Sequence, residues 1–269
     1  MDYLLLDGQL LPAQDPCLHA ANHAYRYGDG LFETMKMHDG KILHHKYHFE
    51  RLLNGLATIG VRQPPSFTPT YVLREILSLA AANRATDARV RLSVSTAEGP
   101  LAAESGFHYL AECFPIDLAQ EQPAIHLSIF NGGRKSADLL SNLKSASHLI
   151  YAVAARKAAE TGVDDCVVCN AYDRVADTTI ASLFWVKDGV VYTPPLSEGC
   201  VAGVTRRRLI EQLSVSELRV TERTCVPRDL MNADEVFLTN AIRGVYAVSA
   251  LDGKTFRQDV THLIQRMFR

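Results

Sequence analysis

A chain of 269 residues holds one large domain or two of ordinary size. Its apolar share of 47%, charged share of 22% and formal charge of −2 are those of an ordinary globular protein and give no electrostatic footprint for nucleic acid. No apolar run reaches a transmembrane length and the start MDYLLLDG lacks a basic leader, so the expectation is a cytoplasmic protein without membrane or nucleic-acid partners.

In chain order, YLLLDGQLLP reads as a hairpin turning at Asp7-Gly8, and GLFETMKMHDGKILHH as two further strands around Asp39-Gly40. Helical spacing runs from Tyr47 through Phe49, Leu52, Leu53 and Leu56 and closes at Gly60. A second helix spans about Thr68 to Asn83. RVRLSVST and FHYLAECF follow as strands. This part predicts a small N-terminal α+β domain over 1–115.

PIDLAQEQP, with a proline at each end, predicts a linker at 116–124, and a larger C-terminal mixed domain follows over 125–269. Its expected elements begin with a strand at AIHLSIF and a helix in LSNLKSASHLIYAVAARKAAETG. That helix would be entered near Lys144, with Leu149, Ile150, Val153 and Ala154 on its apolar face. Next come the strand DDCVVCN, a turn and strand around LFWVKDGVVYTP, a helix after Gly203 and a short helix near Pro227–Asn232. Strands DEVFLT and GVYAVSAL, a turn at Asp252-Gly253 and a closing helix complete the chain.

Six cysteines are scattered along the chain, and the one C-x-x-C, Cys166 and Cys169, lies in an apolar strand without a second ligand pair. They read as reduced, buried side chains, and no metal site is expected.

Lys144 is the first residue that could carry chemistry. At a helix start a lysine opposes the dipole, so it is either solvated or kept for its amine, as a Schiff-base lysine is. The second use requires a phosphate cradle and an acid. GCVAGVTRRRLIEQL offers the cradle, because Gly199 and Gly203 flank a loop that opens into a helix, where the N–H groups of Val204 and Thr205 can meet an anion. Arg51 in HFERLL and the pair Thr239-Asn240 are further candidate phosphate ligands. Asp177 in RVADTTIASLF is the candidate acid. Each has an ordinary alternative: a Gly loop, a surface charge, or a turn aspartate.

In this order the pieces resemble the class IV aminotransferases, the fold-type IV enzymes that use pyridoxal phosphate (PLP), over nearly the whole chain. YGDGLFET (Tyr27–Thr34) is similar to the family's N-terminal signature and H-x-x-R-L (His48–Leu52) to its phosphate-arginine helix. Lys144 falls at the Schiff-base position, VADTTIASLFWVKDGVVYTPP resembles the strand pair bearing the pyridine partner, and GVTR resembles the phosphate loop. The resemblance implies a two-domain α+β fold and cofactor contacts at Arg51, Lys144, Asp177, Val204, Thr205, Thr239 and Asn240. It also implies a small-molecule substrate and a homodimer.

EVFLTNAIRGVYAV and the slightly short step from Lys144 to Asp177 lean toward the aminodeoxychorismate lyase branch, with a branched-chain or D-amino acid transaminase as the alternative. A PLP-binding protein of little turnover is a third reading. Arg26 and Arg243 adjoin motif segments and are the candidates for substrate carboxylates. Two residues depart from the family's pattern, which places glutamate at Asp177 and asparagine at Ser182. A carboxylate at the pyridine nitrogen keeps it protonated, and aspartate is one methylene shorter.

Overall fold

A computed structural model describes residues 1–96, 98–101, 106–117, 123–216 and 218–268. Contacts group the chain into two compact units: Met1–Gln120 with Lys144–Ser147, and Glu121–Leu143 with His148–Arg269. The expected linker falls largely on residues 118–122, outside the described set. Residues 144–147 group with the first unit, whereas the sequence placed them inside the second domain.

In the first unit, strands β1 (Tyr3–Leu6) and β2 (Gln9–Pro12) form the expected hairpin. A five-residue helix, α1 (His23–Tyr27), precedes β3 (Gly30–His38) and β4 (Lys41–Ile42). Helices α2 (His45–Thr58) and α3 (Pro69–Ala82) come next; Thr68 caps α3 by accepting from Tyr71 N, with proline at its first position. Strands β5 (Ala88–Ser95) and β6 (His108–Pro115) complete a six-stranded sheet of order β2-β1-β6-β5-β3-β4.

Strand β4 covers only the last two residues of β3, leaving most of that edge unpaired by a strand. Lys144–Ala146 covers its beginning: Phe32 N donates to Lys144 O at 2.9 Å and Ala146 N to Gly30 O at 2.8 Å. An open edge is a template for unwanted pairing, and a distant segment closes it here.

The second unit holds β7 (Ile125–Ile129), a 3-10 turn (Leu139–Asn142), α4 (Leu149–Thr161), β8 (Asp165–Cys169), β9 (Val175–Thr178), β10 (Ser182–Lys187) and β11 (Val190–Thr193). A second 3-10 turn (Leu196–Glu198) leads to α5 (Val204–Leu213). After it come β12 (Val220–Glu222), α6 (Pro227–Met231), β13 (Glu235–Asn240), β14 (Gly244–Leu251), β15 (Lys254–Thr255) and α7 (Asp259–Met267). The strand order is β12-β11-β10-β13-β14-β7-β8-β9, with β15 on β14.

Strands β8 and β10 are buried on both faces, which is why DCVVC and SLFWV read as nearly continuous apolar runs. Leu183 and Trp185 enter one core cluster with Leu127, Val167, Leu238 and Val248. Phe184 and Val186 point the other way, to Leu209, Leu213, Phe237 and Ile264. The same alternation separates the C-x-x-C: Cys166 packs beside Tyr151 and Ala154 of α4, and Cys169 faces the other cluster. Two residues three apart in a strand cannot share a face, and all six cysteines are free. No helix among the described residues is long and apolar enough to cross a membrane.

One expectation is corrected. Lys144 does not start a helix; α4 begins at Leu149, and Lys144 lies in an extended segment before it. The buried face of α4 is Tyr151, Ala154 and Ala158, while Leu149 is exposed. Lys144 is placed by strand pairing, so no dipole opposes it.

Candidate active site

The first unit carries three residues from two of the motif segments. Glu33 on β3 is buried, and His48 and Arg51 stand three apart on one face of α2, directed at it. Arg51 Nε donates to Glu33 Oε1 at 2.8 Å and an Nη to Oε2 at 2.5 Å, while His48 Nδ1 lies 2.6 Å from Oε2. Burial pushes the Glu33 carboxyl up, but the Arg51 charge and the hydrogen bonds from His48 and Arg51 outweigh it and bring it down to about 2. The carboxylate therefore fixes the arginine's guanidinium. In the same unit Lys144 Nζ stands 4.4 Å from the Phe32 ring centroid, a cation–π contact. Arg26 is exposed on α1 and donates through Nε to Ala20 O at 2.8 Å.

The second unit carries Asp177, and a β-bulge decides where it points. Val168 pairs with Asp177, but Cys169 pairs with Val175, so Ala176 is an extra residue on β9. Without it Asp177 and Val175 would share the apolar face; with it Asp177 lies beside Val168, on the side where α4 packs. There Tyr151 OH donates to Asp177 Oδ2 at 2.8 Å, Val201 N donates at 2.9 Å, and Lys135 Nζ reaches it at 3.2 Å. Lys135 Nζ also donates to Tyr151 OH. Burial, and then the Asp177 charge, hold the Tyr151 phenol well above its usual range. Asp177 Oδ1 is buried and, among the described residues, has no partner.

The loop before α5 is tightly held. Gly199 has φ +79°, and a Cβ there would clash with Ser136 O. Glu198, buried beneath it, binds Arg174, Asn170 and Thr224. Asn142 Nδ2 donates to Leu196 O and Cys200 O at 2.8 and 2.7 Å, and Lys144 follows two residues along the chain. Helix α5 starts at Val204 without a side-chain cap, so its first N–H groups receive nothing from a capping oxygen. A Cβ on Gly203 would meet Ser182 Oγ at 2.5 Å. Ser182 pairs across the sheet with Thr239, and cross-strand partners share a face. Thr239 Oγ1 thus lies on the α5 side of the sheet, buried and without a partner among the described residues.

Asn240, the next residue, points the opposite way. Its Oδ1 accepts from Ile242 N and Arg243 N and its Nδ2 donates to Tyr246 OH, so its side chain holds the β13–β14 turn. Arg243 stacks on Tyr246, 3.9 Å from the ring centroid, and donates to Pro123 O at 2.9 Å.

Two buried polar groups without partners among the described residues, the Asp177 carboxylate oxygen and the Thr239 hydroxyl, flank an uncapped helix start, all in one unit. A ring N–H and a phosphate group fit that set: the carboxylate takes the first, and the hydroxyl with the helix N–H groups takes the second. The family comparison agrees. The amino-transferase class IV profile matches residues 30–251. The chain belongs to the class IV aminotransferase family. With the family comes the cofactor expected from the motifs, pyridoxal phosphate.

Among its relatives, the chain is 30% identical over 239 residues to the aminodeoxychorismate lyase of Vibrio harveyi, covering 86% of each. It is 24% identical to the D-alanine aminotransferase of Bacillus licheniformis, over 94% of this chain and 89% of that protein. A Legionella pneumophila protein, provisionally named 4-amino-4-deoxychorismate lyase, has the same fold. It superposes with a TM-score of 0.85 at 26% identity, over 96% of this chain and 97% of that one.

Lys135 and Tyr151 were not among the residues singled out from the sequence. Tyr151 had a signal, a hydroxyl on the apolar face of a helix. Lys135, in NGGRKSAD, had none.

Proposed function

We propose that this class IV enzyme is a PLP-dependent aminodeoxychorismate lyase that converts 4-amino-4-deoxychorismate to 4-aminobenzoate and pyruvate. The cofactor part rests on the two orphaned oxygens, Asp177 Oδ1 and Thr239 Oγ1. The lyase part rests on the Vibrio harveyi relative and on the N-A-x-x-x-V pattern at Asn240–Val245.

When bound, PLP supplies an electron sink for charge that develops on the amine-bearing carbon. The chain's residues do the rest. With PLP bound, Thr239 and the N–H groups of Val204 and Thr205 would hold the phosphate; Arg51, whose guanidinium is fixed by Glu33, is the proposed guanidinium ligand. Asp177 Oδ1 would accept the ring N–H. Lys144 would remove one proton from the amine-bearing carbon. The enolpyruvyl C–O bond then breaks as the ring becomes aromatic, and Lys144 returns a proton to the leaving three-carbon fragment. Electrons stay balanced, and no oxidant is consumed. Arg26 and Arg243 are the proposed contacts for the substrate carboxylates, and the working assembly is a homodimer.

Incubation with 4-amino-4-deoxychorismate alone should yield 4-aminobenzoate and pyruvate in equal amounts. Products confined to oxo acids from L-leucine or D-alanine, with 2-oxoglutarate as acceptor, would establish the transaminase instead. The D-alanine aminotransferase likeness keeps that reading in view. Borohydride reduction of PLP-loaded protein followed by peptide mapping should place the label on Lys144; a label on another lysine overturns the cofactor assignment.

A further inference from the structure

The chemistry above makes no use of Lys135, yet burying an ammonium is costly unless it is paired. Lys135 is 8% exposed and forms an ion pair with Asp177, which is 3% exposed. Its backbone is fixed as well: Lys135 N donates to Cys169 O at 3.0 Å and Ala171 N to Lys135 O at 2.9 Å, extending β8 by one parallel bridge. A lysine held at both ends beside one carboxylate is not a solvated surface charge.

The distribution of donors matters more than their number. Lys135, Tyr151 and Val201 N–H all approach Oδ2, and Oδ1 receives nothing among the described residues. Three elements converge on one oxygen: the segment before the first 3-10 turn, helix α4, and the loop before α5. The other titratable groups facing them are Tyr151, Cys200 and His148, the last with its ring centroid 4.4 Å from that of Tyr151. Tyr151 stays a phenol, and burial pushes the Cys200 thiol up to about 11. Beyond Cys200, Arg206 is paired with Glu222. Lys135 is thus the cation that balances Asp177.

We propose that Lys135 is a positioning residue that holds Asp177 as a carboxylate with Oδ1 presented to the ring nitrogen of PLP. The role rests on the PLP reading above and adds a residue and a mechanism to it. A proton shared between Oδ1 and a ring nitrogen resides on the weaker acid's side. An ammonium 3.2 Å from Oδ2 acts more strongly on the carboxyl than on a ring beyond it. Lys135 therefore keeps the proton on the ring. The same clamp accounts for aspartate where the family pattern has glutamate, because a short side chain held by three donors has little freedom to turn away.

The test begins without cofactor. In apoprotein carrying ¹³C-labelled aspartate, the Asp177 carboxyl resonance, assigned by its loss in Asp177→Asn, should be that of a carboxylate at pH 7. A protonated Asp177 in the parent overturns the proposal whatever any variant does. In Lys135→Met its titration should move up by at least one pH unit, about tenfold in the ratio of forms, while Lys135→Arg should stay near the parent. With ring-¹⁵N PLP bound, the parent and Lys135→Arg should show a protonated nitrogen and Lys135→Met a shift toward the unprotonated one, with kcat falling more than KM rises. Lys135→Gln, close to lysine in size, removes the same charge if the methionine variant does not fold. Parent-like titration and parent-like ¹⁵N shift in the neutral variants would assign Lys135 to packing alone. The apoprotein result does not depend on PLP, so failure of the cofactor reading shows separately, as missing label on Lys144.

Discussion

Two buried carboxylates, Glu33 and Asp177, are treated differently by this fold. Glu33 has both oxygens occupied, by two nitrogens of Arg51 and one of His48. Asp177 has three donors on one oxygen and none among the described residues on the other. A saturated carboxylate is scaffold: its energy is already committed to holding its neighbours. A half-saturated one carries a desolvation cost that only a further donor can relieve. The contrast makes Glu33 the support of a guanidinium and Asp177 a seat for something the chain does not itself supply.

The largest effect should follow from emptying the saturated site. Glu33→Ala removes the carboxylate that buried His48 and part-buried Arg51 share, and breaking such a cluster costs about 3–5 kcal/mol. Denaturant unfolding should show that loss. The pH dependence has a definite sign. Glu33 is depressed from 4.5 to about 2 when folded, so its contribution is complete above about 4.5 and disappears as the pH falls from there toward 2. That shift corresponds to about 3 kcal/mol across the window. Glu33→Ala should lose this part of the acid limb; an acid limb identical to the parent's would mean that other carboxylates govern it.

Arg51→Ala tests the same cluster from the ligand side. A guanidinium making charge-assisted bonds to a phosphate contributes on the order of 1.5–3 kcal/mol, so PLP affinity should fall roughly 10- to 150-fold. Stability should fall too, because Glu33 would keep only His48. Spectral titration with PLP measures the first effect and denaturant unfolding the second. A folded variant with unchanged affinity would remove Arg51 from the phosphate set and leave it as a partner of Glu33 only.

At the half-saturated site, Asp177→Glu restores the residue common in the family. The bulge and the three donors have already fixed where Oδ2 lies, so the added methylene should overpack the site by about 1–3 kcal/mol. Apoprotein melting temperature and turnover should both drop. Undiminished turnover would show that Lys135, Tyr151 and the 199–203 loop can shift together to accept the longer side chain.

The sequence made most strands and helices legible because their apolar periods are local properties. Thr68 and Pro69 announced α3, and the paired Asp-Gly turns announced the hairpins. What escaped it was set by non-local pairing. Ser145–Ser147 looked like the first turn of α4, but the open edge of β3 draws 144–146 into an extended segment, and no local pattern encodes that. The Ala176 bulge is equally invisible in VADT, where plain alternation would send Asp177 to the same side as Val175. The segments carrying the candidate site were readable from their motifs. The separate fates of neighbours were not: Thr239 and Asn240 were paired as phosphate ligands, yet strand alternation turns one toward α5 and the other into its own turn.

That split between Thr239 and Asn240 gives the smallest and cleanest test. Thr239→Val is nearly isosteric and removes a buried hydroxyl that has no partner among the described residues. Removing an unsatisfied polar group should leave the apoprotein as stable as the parent, or raise its stability by up to about 1 kcal/mol. The same change should weaken PLP binding by about 1–2 kcal/mol, or roughly 5- to 30-fold, since a hydroxyl donating to a phosphate makes a charge-assisted bond. Opposite signs in the two measurements are the signature of a group kept for a ligand. Asn240→Ala should instead lower apoprotein stability, because Ile242 N and Arg243 N lose their acceptor. Should Thr239→Val destabilise the apoprotein and leave PLP affinity unchanged, its hydroxyl serves the fold, and the phosphate reading of this end of β13 fails.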